Sequence, residues 1–92
     1  MRSIESTKFP LGRIVATPSI IENVNSSELI DFIRRHSMGD WGNLCEEDKK
    51  ANDKALLHQE RILSSFISKA GKVWVITEAD RSVTTILFPS EY

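Results

Sequence analysis

Only one cysteine, Cys45, stands among the 92 residues. The chain therefore forms no intramolecular disulfide and carries no paired-cysteine metal or redox motif. Glycine is equally sparse. Gly12, Gly39, Gly42 and Gly71 are scattered along the chain, so there is no glycine-rich loop of the kind that wraps a phosphate. No apolar run approaches the roughly 20 residues that span a bilayer. The opening MRSIESTKFPLGRIVATPS lacks the continuous apolar stretch of a secretory signal. These absences predict a reducing, cytoplasmic setting away from membranes. Charge of one sign is missing too: 12 basic and 13 acidic residues leave a net charge of −1. That balance lacks the basic excess of a dedicated nucleic-acid binder and is equally unlike a strongly acidic mimic of DNA.

What is present has ordinary globular proportions, 40% hydrophobic and 27% charged, which is enough for one modest core. No repeat, low-complexity stretch or linker divides the chain. Residues 1–8 are polar and read as a flexible N-terminus, and residues 9–92 as a single domain. Leu11 to Ala16 reads as a short strand. Thr17-Pro18 then supplies an N-cap and a first-turn proline, which has no N–H to lose there, for a short helix with Ile20, Ile21 and Val24 on its apolar side. Asn25 caps a second helix, with Glu28 three residues on to bond back to the cap. Leu29, Ile30, Phe32 and Ile33 form its apolar stripe, and it ends near His36 to Ser37. Asn43 with Glu46 repeats the capping pattern and starts a third helix over Leu44 to His58.

After that the period changes. Ile62 to Ser68 alternates, Val73 to Glu78 is rich in β-branched and aromatic residues, Ala79-Asp80-Arg81 makes a turn, and Ser82 to Phe88 is a partner strand closed by Pro89. Phe66, Trp74 and Ile76 read as sheet core. The predicted fold is α+β: a small antiparallel sheet of three consecutive C-terminal strands, joined by the N-terminal strand, with two or three helices packed on one face.

Four groupings bear on chemistry. Cys45 with His36 or His58 has the residue types of a nucleophile and base, but no local spacing fixes a histidine beside it, and Glu46 and Glu47 oppose a thiolate. His36, Asp40, Asp48, Asp53 and His58 include metal-ligating types without a recognised ligand spacing, so neither a metal nor another cofactor is expected. Glu78 and Asp80 lack the nearby lysine of a common nuclease arrangement and read as turn residues. The fourth grouping is Gly39-Asp40-Trp41-Gly42 with Asp48 and Asn52. The last two share a helix face with two alanines. A tryptophan on a glycine-bracketed loop offers a large contact area and an N–H donor. Asp40, Trp41, Asp48, Asn52 and Arg81 are thus the candidate binding residues. The same pattern also suits a buried polar network that pins the loop to the sheet through Thr77, Thr84 or Arg81. No catalytic residue is proposed.

GDWGNLCEEDKKANDKAL (residues 39–56) and VWVITEADRSVTTILFPSEY (residues 73–92), together with FPLGRIVATPS (residues 9–19), resemble a small bacterial family encoded on plasmids and prophages, the plasmid-related proteins. The resemblance covers most of the chain and is weakest around residues 60–71. It implies a mobile-element setting and supplies no catalytic residues. Some members carry the label of a type I restriction enzyme M subunit. This chain lacks that enzyme's glycine-rich cofactor loop and its Asn-Pro-Pro-aromatic motif, and is too short for a methyltransferase domain.

The expectation is a non-enzymatic accessory protein that binds a protein partner, in a restriction, defence or plasmid-maintenance system. The alternative is a small nucleic-acid binder using Arg34, Arg35 and Arg81. An exposed edge strand would template pairing with a second copy, so a homodimer is among the expected assemblies.

Overall fold

The computed structural model describes residues 7–92; most of the expected flexible N-terminus, residues 1–6, lies outside them. Within that stretch Lys8 is tied down, its N–H donating to the Ser37 carbonyl at 2.7 Å. The elements run β1 (Arg13–Ala16), α1 (Pro18–Asn23), α2 (Ser26–Ser37), α3 (Glu46–His58), β2 (Ile62–Ser68), β3 (Gly71–Thr77) and β4 (Val83–Leu87), closed by a 3-10 turn at Pro89–Glu91. The four strands form one sheet in the order β1-β4-β3-β2. The α+β architecture with three consecutive C-terminal strands is therefore as expected. β2, β3 and β4 pair antiparallel, whereas β1 enters parallel to β4, with Arg13 beside Val83 and Ala16 beside Ile86. The sheet is mixed. β1 starts two residues later than the apolar run suggests, because Gly12 takes a left-handed φ of 66° against the β3–β4 turn. A side chain there would meet the Ser82 carbonyl oxygen at 2.3 Å.

The local start signals work for two helices. Thr17 caps α1 by accepting the Ile20 N–H, with Pro18 at the first position, and Asn25 caps α2 by accepting the Ser27 N–H at 2.8 Å. Glu28 does not close a capping box; its Oε2 instead accepts the Lys69 N–H at 3.2 Å, at the far end of β2. The stripe of α2 also shifts. Leu29, Phe32, Ile33 and His36 follow the i, i+3, i+4, i+7 spacing of one helix face, and Phe32 and His36 are buried. Ile30 lies a further 100° round the helix and is 67% exposed, as Ile21 of α1 is 64% exposed. The third start signal fails. The N-cap of α3 is Cys45, with no side-chain capping bond; the Asn43 N–H is donated to the Ser65 carbonyl, which holds Asn43 at the edge of β2, two residues before that cap.

Side-chain alternation along the strands gives the sheet two faces. On one, Phe66, Val73, Val75 and Ile86 pack against Ile20 of α1, Val24 just after it and Phe32 of α2. The Phe32 and Phe66 rings stack with centroids 4.9 Å apart. Each such side chain contributes roughly 1.5–3 kcal/mol when fully buried. A second cluster of Phe9, Trp41, Ala55 and Ile62 lies towards α3. The opposite face carries Leu63, Ser65, Ile67, Trp74 and Ile76, by the pairing of Leu63 with Ile76 and Ser65 with Trp74. Trp74, expected in the core, is therefore only partly buried, since the run VWVITE turns alternate residues away from the helices. Among the described residues no helix is long and apolar enough to cross a membrane.

Candidate binding cleft

β2 is an outermost strand, and its outer edge is closed by this chain itself. The carbonyl of Trp41 accepts the Ser65 N–H at 3.1 Å, and the Asn43 N–H donates to the Ser65 carbonyl at 2.5 Å. Gly42 thus forms a single parallel bridge with Ser65. Only glycine fits that position. Its φ is 73°, and a Cβ would lie 2.1 Å from the Ser65 oxygen. Two residues back along the edge, Asn52 of α3 does the same work with its side chain. Its amide donates to the Leu63 carbonyl at 2.7 Å and accepts the Leu63 N–H at 3.3 Å. An edge strand normally presents these groups to any passing strand. At positions 63 and 65 they are satisfied.

The candidate residues therefore divide. Trp41 is 4% exposed. Its indole N–H donates to Asp53 at 3.0 Å, and its ring lies against Phe9 and edge-on to His36. Asp40 accepts from the Arg35 Nε at 2.8 Å and from the Gly42 N–H at 3.0 Å. The Arg35 guanidinium holds the Asp40 carboxyl below the usual carboxylate range. Asn52 is buried against the strand edge, and Arg81 clamps two turns together. The Arg81 guanidinium donates to the carbonyls of Glu60 at 2.7 Å, Glu78 at 3.1 Å and Ala55 at 3.2 Å, and it lies over the Phe9 ring. These four side chains hold the fold. Of the five, Asp48 and Asn52 come together on one cleft, and Asp40, Trp41 and Arg81 do not line it.

That cleft, of about 500 Å³, opens between the N-terminal half of α3 and the second face of the sheet. The helix side offers Leu44, Asp48 and Ala51; the sheet side offers Leu63, Ser65, Lys72 and Trp74. Cys45, exposed and free, sits at the rim. The Ser65 side chain is 2% exposed, and its hydroxyl has no hydrogen-bond partner. Asp48 and Lys72 stand on opposite sides without an ion pair to each other. Sequence reasoning passed over Ser65, Lys72 and Trp74. Nothing in a β-rich run distinguishes the strand face that helices cover from the one they leave open.

The imidazole of His36 has its own set of partners. His36 is fully buried, with Nδ1 2.5 Å from the Ser64 hydroxyl and Nε2 2.9 Å from that of Thr77. Thr77 lies 2.6 Å from Thr84, which donates to the Leu11 carbonyl at 2.7 Å. That carbonyl only accepts, so the direction of every hydrogen bond in the chain follows. Thr84 accepts from Thr77, Thr77 from Nε2–H, and Nδ1 from Ser64. His36 is the neutral Nε2–H tautomer. Burial, aided by the Arg81 charge, pushes its pKa down to about 4. Thr77 and Thr84, expected to pin the GDWG loop, instead pin α2 to the sheet. Both nitrogens of this ring are engaged by Ser64 and Thr77, whereas Cys45 is exposed, and no group of three or more metal-ligating side chains occurs among the described residues. Asp80 is a turn residue, its carboxylate accepting from the Ser82 N–H and hydroxyl.

Comparison with known proteins returns no matching family model, no matching curated protein and no matching solved structure.

Proposed function

We propose that the chain is a non-enzymatic binding module whose partner protein covers the second face of the sheet. The observation that carries this reading is the unequal covering of the two faces. α1 and α2 bury one, while the other keeps Trp74 partly exposed, Ile67 57% exposed and Tyr92, edge-on to Trp74, 68% exposed. A tryptophan and a tyrosine side by side, beside a cleft, match the composition of binding hot spots. The resemblance to plasmid-related proteins supports a mobile-element setting for that partner, in restriction, defence or plasmid maintenance.

The alternative, nucleic-acid binding through Arg34, Arg35 and Arg81, draws on guanidinium groups that the fold already uses. Arg34 pairs with Asp31, Arg35 with Asp40, and Arg81 with backbone carbonyls. Phosphate contacts would have to displace them.

The test is affinity capture from the native host, followed by binding of the purified partner to wild type, Trp74→Asp and Tyr92→Ser. The expected outcome is a specific partner lost on Trp74→Asp while circular dichroism stays unchanged. A partner that binds Trp74→Asp as tightly as wild type sinks the reading.

A further inference from the structure

The cleft beside Trp74 also has the dimensions of a small-molecule site. Its volume of about 500 Å³ lies within the range of small-molecule sites, roughly 300–1,000 Å³. Its chemistry is specific. Trp74 and Leu63 give it a flat apolar wall. Asp48 on the helix side and Lys72 on the strand side are both exposed and pair neither with each other nor with another described residue. Opposite charges facing across a gap, each unpaired, complement a molecule that carries both signs. Ser65 adds a second and independent sign. It points to the same face as its cross-strand partner Trp74, is 2% exposed, and has no partner for its hydroxyl. A buried hydroxyl without a partner costs about 1–3 kcal/mol, and a ligand acceptor, like a bridging water, removes that cost.

We infer that this cleft binds a small zwitterion with a flat apolar body, the chemistry of an aromatic α-amino acid. The ligand's ammonium faces Asp48, its carboxylate faces Lys72 and the Ser65 hydroxyl, and its apolar body lies on Trp74 and Leu63. The inference does not depend on a protein partner, because the isolated chain suffices to test it.

Cys45 provides the readout. It is the sole thiol and sits at the rim, so a bound ligand slows its alkylation by iodoacetamide. The probes are L-phenylalanine, phenethylamine with the cation alone, 3-phenylpropionate with the anion alone, and N-acetylphenylalanine amide with neither, each at millimolar concentration and checked by calorimetry. The expected result is protection by L-phenylalanine at the lowest concentration. Asp48→Asn and Lys72→Gln, both at exposed positions, should each weaken it roughly three- to fivefold, the size of an exposed ion pair. They should also abolish the advantage over the analogue lacking the matching charge. Protection by none of the four compounds, equal protection by all four, or indifference to both substitutions overturns the inference. Any of these outcomes leaves the partner-binding test on Trp74→Asp standing by itself.

Discussion

The edge and the face of the same strand, β2, are finished in opposite ways. Along the edge, backbone groups at Leu63 and Ser65 meet Asn52, Trp41 and Asn43, and Gly42 is pressed against Ser65 more closely than any side chain permits. Over the second face, Leu63 and Ser65 send their side chains towards a cleft in which charges stand unpaired and a hydroxyl has no acceptor. Polar satisfaction is a requirement for a fold's interior. It is met along the β2 edge at Leu63 and Ser65 and relaxed at the Ser65 hydroxyl on the second face. On the proposed reading the face serves binding and the edge stability, which gives the two tryptophans different roles.

The sharpest way to break that division is to truncate both tryptophans. Trp41→Ala should lose about 3–5 kcal/mol in urea unfolding, the cost of emptying a buried aromatic site, with Asp53 losing its donor. Comparable losses for Trp74→Ala would erase the distinction.

Next in size is the effect of pH. Burial and the Arg81 charge lower the folded pKa of His36 from the ordinary 6.5 to about 4, so the unfolded chain binds more protons between those values. The contribution of neutral His36 is complete above pH 6.5 and is lost as pH falls to 4, by up to about 3 kcal/mol. Chemical denaturation across this window should show stability rising with pH, and His36→Gln should flatten that slope. A slope unchanged in the variant would assign the effect to other groups.

Asn52→Leu is expected to cost about 2 kcal/mol, since it leaves the Leu63 N–H and carbonyl without partners near an apolar side chain. Hydrogen exchange at the Leu63 amide should accelerate, while the amides of β3 keep their protection. The smallest effect is expected of Trp74→Ser, about 1 kcal/mol, because this ring is only partly buried. A larger loss would mean that the open face is as structural as the edge.

These contrasts also show what local sequence conveys. Thr17-Pro18 and Asn25 announce helix starts because their signals act within three residues. The alternation in β2 and the β-branched runs in β3 and β4 announce strands for the same reason. The parallel entry of β1 has no local signature, since its register is set by contacts with a strand far along the chain. Asn43 carries the local pattern of a cap, but its backbone is claimed by Ser65, twenty-two positions on. Asp40 and Trp41 were legible as a unit with Asn52, though not as edge seals. Trp74 was hidden because Val73, Val75 and Ile76 around it are all buried, leaving no alternation to reveal a second, half-open surface. The His36 hydrogen bonds join residues 28 and 41 positions apart, beyond any spacing rule.

The last acceptor in that hydroxyl chain has a consequence for the order of folding. β2, β3 and β4 follow one another through short turns, so their pairing closes small loops and costs little chain entropy. Leu11 lies 73 positions from Thr84, and bringing it there closes one of the longest loops among the described residues. The segment before β1 is thus expected to dock late, as long-range pairings do. Until it docks, Thr84 lacks its carbonyl acceptor, either threonine hydroxyl can donate to the other, and the Nε2–H tautomer of His36 is not enforced. Completion of the hydrogen-bond relay then reports the arrival of the N-terminal strand, making the imidazole a natural spectroscopic clock for the final step of assembly.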